Sequence, residues 1–157
     1  MAKRHRSLIP LSQDHHHGLA LAVRLQQGNN ALLNDGWTHD RVEQARRVRH
    51  FYENDLRPHF KAEEAIVFPT MSRHVSGSSL LIDELIRQHR EMERLIDMLD
   101  HFEGDQLEKT LAALGDLLEK HIRSEERELF EMMQQQLPSD LLEEIGDGVK
   151  KLLMRDG

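Results

Sequence analysis

The sequence predicts an all-α protein, an up-down antiparallel four-helix bundle with a short additional C-terminal helix. Three observations carry that expectation. Apolar residues recur three and four apart in successive stretches, and nowhere do they alternate with a strand's period of two. Short clusters of turn-forming residues separate the stretches, which makes consecutive helices antiparallel neighbours. The 157 residues include only four prolines and nine glycines, and 31% are charged, a composition that favours helix over loop or disorder.

The first helix is expected from Leu8 to about Gln27, on the spacing of Leu8, Leu11, Leu19, Ala22 and Leu25, with the turn formers of GNNALLNDG after it. The second starts near Thr38, an N-cap residue, and runs to about Val67 before Pro69. Pro58 inside it predicts a kink or a break, because proline removes one donor and crowds the preceding turn. SRHVSGSS reads as a loop, and Ser78 or Ser79 caps a third helix from Leu80 to about Phe102. EGDQ separates that helix from a fourth, Gln106 to about Gln136, which Pro138 ends. Ser139 caps a fifth over about 139–154, striped with Leu141, Leu142, Ile145, Val149 and Leu152. It is expected to pack outside the bundle or against a second copy of the chain in a homodimer. Residues 1–157 thus read as one domain with a bundle core at about 8–136.

Composition excludes several classes. A formal net charge of −7 argues against nucleic-acid binding, which needs a basic footprint; the arginines of RVEQARRVRH read as a solvated helix face. No apolar run approaches the about 20 residues of a membrane span, and MAKRHRSLIPLSQDHHH lacks a signal-peptide core. A cytoplasmic protein with no membrane partner is expected. With no cysteine, disulfides, thiol catalysis and thiolate metal sites drop out. Any metal must be held by nitrogen and oxygen, and the chain has eleven histidines.

Four of them interrupt apolar faces. The second helix has the stripe Val48, Tyr52, Leu56, His59, Glu63, Val67, and the fourth has Leu111, Leu114, Leu118, His121, Glu125, Met132. In both, a His and a Glu four residues apart stack on one face. The third helix points His89 inward among Ile82, Leu85, Met92, Ile96 and Leu99, with Glu93 beside it, and the first points His15 inward among Leu11, Leu19 and Ala22. Burying Glu63 and Glu125 unpaired would cost several kcal/mol each, whereas a shared cation turns them into ligands. Four His and two Glu exceed what one tetrahedral zinc uses and suit two metal ions bridged by carboxylates; iron, manganese or zinc is compatible with the donor set. No His follows a Glu three residues earlier, so the Glu-x-x-His of ferritin-like di-iron bundles is absent, as is the metalloprotease His-Glu-x-x-His.

The ordered series His15, HFKAE (His59–Glu63), His89, HIRSE (His121–Glu125) resembles the hemerythrin-like, HHE cation-binding family over roughly residues 8–136. The resemblance implies an up-down four-helix bundle with a non-haem di-iron centre, whose members bind oxygen or nitric oxide, sense iron or redox state, or handle peroxide. Carried over, His15, His59, His89 and His121 would be terminal ligands and Glu63 and Glu125 bridges to two iron ions, another divalent metal being compatible. In DHHHG the family pattern selects His15, with His16 as a neighbour or alternative ligand. Two departures from the oxygen carriers stand out. Glu93 occupies the place of a second third-helix His, as a ligand or as a solvent-facing residue. Glu125 and Glu126 both stand near the place of an Asp. The implied function is a di-iron protein that binds oxygen or nitric oxide or senses or handles iron; the alternative is a di-iron enzyme acting on peroxide or nitric oxide. The absence of cysteine removes the N-terminal thiol motif of the family's iron–sulfur repair branch.

Overall fold

The computed structural model describes residues 3–28 and 36–156, and every regular element among them is helical. A 3₁₀ turn, Arg6–Leu8, leads into α1, Ile9–Gln27. Pro10 falls in the first turn of α1, where its missing N–H costs nothing. α2 runs continuously over residues 41–74, α3 is Ser79–Met98 extended by a 3₁₀ turn, α4 covers residues 104–136, and α5 is Ser139–Asp156. Most of GNNALLNDG lies outside the described residues.

The start of α2 differs from expectation by one cap. Asp40, not Thr38, accepts the Val42 N–H at 3.0 Å, while Thr38 Oγ1 accepts from the Asp40 N–H. Its end differs more: α2 passes both prolines and stops at His74. π-helical turns at Tyr52–Leu56 and Glu63–Val67 immediately precede the short α segments in which Pro58 and Pro69 take a first-turn position. A wider turn gives the proline ring the room an α turn denies it, so neither proline breaks the helix. α4 carries a third π turn, Glu125–Leu129, with no proline near. At the start of α3, Ser78 is the N-cap residue, yet its hydroxyl donates back to the Val75 carbonyl at 2.7 Å.

The apolar residues form two clusters. One contains Leu11, Val67, Phe68, Leu85, Leu129, Phe130 and the α5 residues Leu142, Ile145 and Val149. The other contains Ala22, Val48, Leu56, Phe60, Met92, Ile96, Leu118 and Ile122. α1 and α3 run from the first cluster to the second, and α2 and α4 run back. On each of these four helices the inward His lies between the two clusters. α5 packs on the first cluster of its own chain, with Gly146 against Ser7 and Gly148 against Ile66.

Candidate metal centre

Between the clusters, six polar side chains are almost completely buried: His15 (4% exposed), His59 (3%), Glu63 (0%), His89 (0%), His121 (1%) and Glu125 (0%). They fall into two overlapping groups with the spacing of a metal site. His15, His59, Glu63 and Glu125 form one, and Glu63, His89, His121 and Glu125 the other; within each, one donor atom per residue lies within 4.8 Å of the others. Both carboxylates belong to both groups. His15 Nε2 is 3.2 Å from His59 Nε2, and His89 Nε2 is 3.1 Å from His121 Nε2. The ring pairs match as well, with centroids 4.9 and 4.7 Å apart and tilts of 54° and 55°.

Each imidazole is oriented by an acceptor on its outer nitrogen. His15 Nδ1 donates to Glu126 at 2.7 Å, His59 Nδ1 to Asp14 at 3.1 Å, His89 Nδ1 to Glu64 at 2.7 Å, and His121 Nδ1 to Gln88 Oε1 at 2.7 Å. Gln88 Nε2 faces Glu84, which leaves its oxygen for His121. These bonds put the Nδ1 proton outside and aim each Nε2 inward, the arrangement that orients metal-binding histidines. Two inward lone pairs about 3 Å apart repel unless a positive charge joins them.

The carboxylates press the same demand. Glu63 Oε1 lies 3.0 Å from His89 Nε2, and its Oε2 lies 3.5 Å from His59 Nε2, so its two oxygens address different groups. Glu125 Oε1 is 3.0 Å from His15 Nε2 and 3.3 Å from His121 Nε2. The second oxygens of Glu63 and Glu125 are buried with no hydrogen-bond donor. Burial lowers the His121 pKa, but the adjoining Glu125 and Glu63 charges prevail and raise it to about 9. His59 is raised well above its ordinary value by the same contest, with Glu63 its strongest positive influence. Glu125 is driven the other way: burial raises its pKa, and the His121 charge with bonds to His121 and His15 brings it well below the carboxylate range. A pocket that attracts protons this strongly attracts any cation the donors fit, and the donors here are imidazole nitrogen and carboxylate oxygen.

The remaining expected residues sit around this centre. Glu126 faces outward from it, holding His15 and accepting from Ser12 at 2.8 Å, and Arg4 reaches its backbone carbonyl at 3.1 Å. Glu93 is outside both groups and accepts from the Tyr52 hydroxyl at 2.5 Å. His16 is exposed. Three partners, Asp14, Gln88 and Glu64, escaped sequence reasoning, and Glu126, expected as a ligand, is a partner of His15 instead. Asp14 and Gln88 each precede a clustered His, and Glu64 and Glu126 each follow a clustered Glu. Phe68 and Phe130 also belong here: Phe68 stacks on His89 (5.7 Å, 29°) and Phe130 on His15 (5.5 Å, 12°). The doubled Glu-Glu and the recurrent Phe of HFKAEEAIVF and HIRSEERELF were the available signal.

The fold and this cluster define a helical-bundle protein with a buried histidine–carboxylate site suited to a metal. The family model described as the hemerythrin HHE cation-binding domain matches residues 9–133, and the chain belongs to that family. None of the curated proteins compared and none of the solved structures compared matches it. No helix among the described residues is long and apolar enough to cross a membrane.

Proposed function

We propose that the protein holds two iron ions, one in each histidine–carboxylate group, and binds a small ligand such as dioxygen or nitric oxide there, or uses the pair to sense or handle iron. The observation that carries this reading is the sharing of Glu63 and Glu125 by both groups. Two buried carboxylates between two pairs of imidazoles offset the charge of two adjacent cations, and a single ion would leave one pair of facing nitrogens uncompensated. His15 and His59 would hold one ion and His89 and His121 the other, with Glu63 and Glu125 available to both. Iron there supplies one-electron redox chemistry and a Lewis-acidic position for the ligand. The protein's part is to fix the imidazoles through Asp14, Glu126, Glu64 and Gln88 and to exclude bulk water with the two apolar clusters. The up-down order of the four long helices belongs to the same reading, supported by the alternating order in which they traverse those clusters.

The size of the ligand follows from the space available. A cavity of about 10 Å³ touches His15, His59, His121 and Glu125 and is otherwise walled mainly by Gly18, Phe51, Leu56, Phe60, Leu118 and Ile122. That is about one water-sized sphere, too little for an organic substrate to enter without movement of these walls.

Anaerobic titration with ferrous ion tests the reading. Two ions are expected per chain, with a rise in melting temperature as the folded state is drawn off by binding. His59→Ala and Glu63→Ala should each lower occupancy. Uptake of no metal, or full occupancy in both variants, overturns the reading. A stable adduct with oxygen or nitric oxide identifies a binder, whereas turnover of peroxide or nitric oxide without an adduct identifies an enzyme.

A further inference from the structure

The surroundings of the two groups follow a near two-fold pattern. His15 corresponds to His89, His59 to His121, Glu63 to Glu125, Glu64 to Glu126, Phe68 to Phe130, Leu11 to Leu85 and Leu56 to Leu118. One flank departs from it. Where α4 has Leu114 and Ile122, α2 has Tyr52 and Phe60; where α1 has His16 and Leu19, α3 has Arg90 and Glu93. A frame that packs with Leu and Ile on one side does not need these four on the other.

The four form one connected unit. The Tyr52 ring meets Phe60 edge-on at 6.4 Å and 66°, and Phe60 stacks on His89 at 3.9 Å and 15°. The Tyr52 hydroxyl donates to Glu93 Oε2 at 2.5 Å. Arg90 bonds both Glu93 and Glu64, and Glu64 accepts from His89 Nδ1 at 2.7 Å. The only tyrosine of the chain is therefore tied to a clustered histidine twice, by stacked rings and by hydrogen bonds. It also lines an open surface pocket of about 410 Å³, so it joins the buried centre to the outside.

We propose that Tyr52 is a redox-active side chain that gives an electron to the metal centre through Phe60 and His89 while its phenolic proton passes to Glu93. The proposal rests on the two-iron reading. The oxidant is a peroxide acting on a mixed-valent iron pair, which has only one electron to give readily. Hydrogen peroxide takes two electrons and two solvent protons and breaks its O–O bond to form two waters. One electron leaves the ferrous ion, which becomes ferric, and the other leaves Tyr52, which becomes a neutral phenoxyl radical as Glu93 becomes a carboxylic acid. Burial and then the Glu93 carboxylate push the Tyr52 phenol well above its ordinary range, so its proton departs with the electron and not ahead of it.

The test uses the full-length protein loaded anaerobically with ferrous iron, oxidised by one electron per pair, mixed with hydrogen peroxide and frozen for electron paramagnetic resonance. A tyrosyl signal is expected in the wild type. Tyr52→Phe should abolish it with iron occupancy unchanged, Glu93→Gln should cut its yield several-fold, and Glu93→Asp should restore part of it. No radical in the loaded wild type, or a radical that survives in Tyr52→Phe, for example on Trp37, overturns the proposal. Absence of iron uptake by the wild type is a different result: it removes the two-iron reading and this step with it.

Discussion

Asp14 and Gln88 occupy matching positions and perform the same task with different charge. Asp14 puts a carboxylate on His59, and Gln88 puts a neutral amide on His121. A carboxylate partner makes an imidazole the more basic ligand, and losing such a partner typically costs about 10–100-fold in metal affinity. If the centre takes two ions as proposed, they should therefore bind in unequal steps, the His15–His59 position first. Asp14→Asn is expected to weaken the tighter step by about 10-fold and bring the steps together, and Gln88→Glu to tighten the weaker one. Calorimetric titration with ferrous ion, showing two equal steps in the wild type, would exclude this ranking. The histidines also set a pH dependence for the metal-free protein. The folded pKa of His121 is raised from 6.5 to about 9. Its contribution to stability is thus complete below pH 6.5 and is lost as pH rises through about 9. Urea unfolding of the metal-free protein should show stability falling across that window, and a loaded protein, whose protons the metal has displaced, should not follow it.

At the scale of elements, the π turns govern what the sequence disclosed. The i, i+4 pairs His59–Glu63 and His121–Glu125 were legible because each His lies in a regular α segment, Arg57–Ala62 and Gly104–Ser124, that runs up to its Glu. Beyond each pair the count slips. Glu63 and Glu125 each open a π turn, and one added residue shifts the helical phase by about 100°. Phe68 and Phe130, half a turn off the ligand face in a straight helix, instead stack on the histidines, and the inward methionine of α4 is Met133, not Met132. The extra residue in α4, which has no proline, leaves no mark in composition. The outer acceptors were illegible for another reason: Glu126 and His15 are 111 residues apart, and only the fold brings them together. Helix approach was hidden likewise. A Cβ on Gly115 of α4 would stand 2.9 Å from the Ala22 carbonyl oxygen of α1, a backbone atom that cannot turn aside. Gly115→Ala should cost about 1–3 kcal/mol, the range for overpacking, read as a lower urea midpoint. At Gly18 the obstruction is the Ile122 Cδ1 at 2.7 Å, a side-chain end that can rotate. Gly18→Ala should therefore cost less, and a larger loss there than at Gly115 would contradict this account of the α1–α4 contact.

Across the whole molecule, the polar centre is the layer that joins two apolar clusters, so stability and metal occupancy must be linked. α5 lies far along the chain from most of the clustered histidines, yet it completes the apolar cluster that begins one turn beyond both buried carboxylates. Val67 follows Glu63 and Leu129 follows Glu125, each fully buried, and Leu142, Ile145 and Val149 of α5 belong to their cluster. Removing the Ile145 side chain to the β-carbon should cost about 2–5 kcal/mol, a large part of the about 5–15 kcal/mol that holds a domain together. Ile145 is not one of the six clustered donors, so the variant should still take as much metal as the wild type. Metal at about 1,000 times its dissociation constant adds about 4 kcal/mol to the folded state, which is of the size needed to offset the loss. Ile145→Ala is thus expected to unfold at markedly lower urea than the wild type when metal-free, with the slope of the transition unchanged. Saturating ferrous ion should recover most of the difference from the metal-free wild type. A metal-free variant as stable as the wild type would show that α5 is an appendage; recovery by metal would show that the centre secures both clusters as one folded unit.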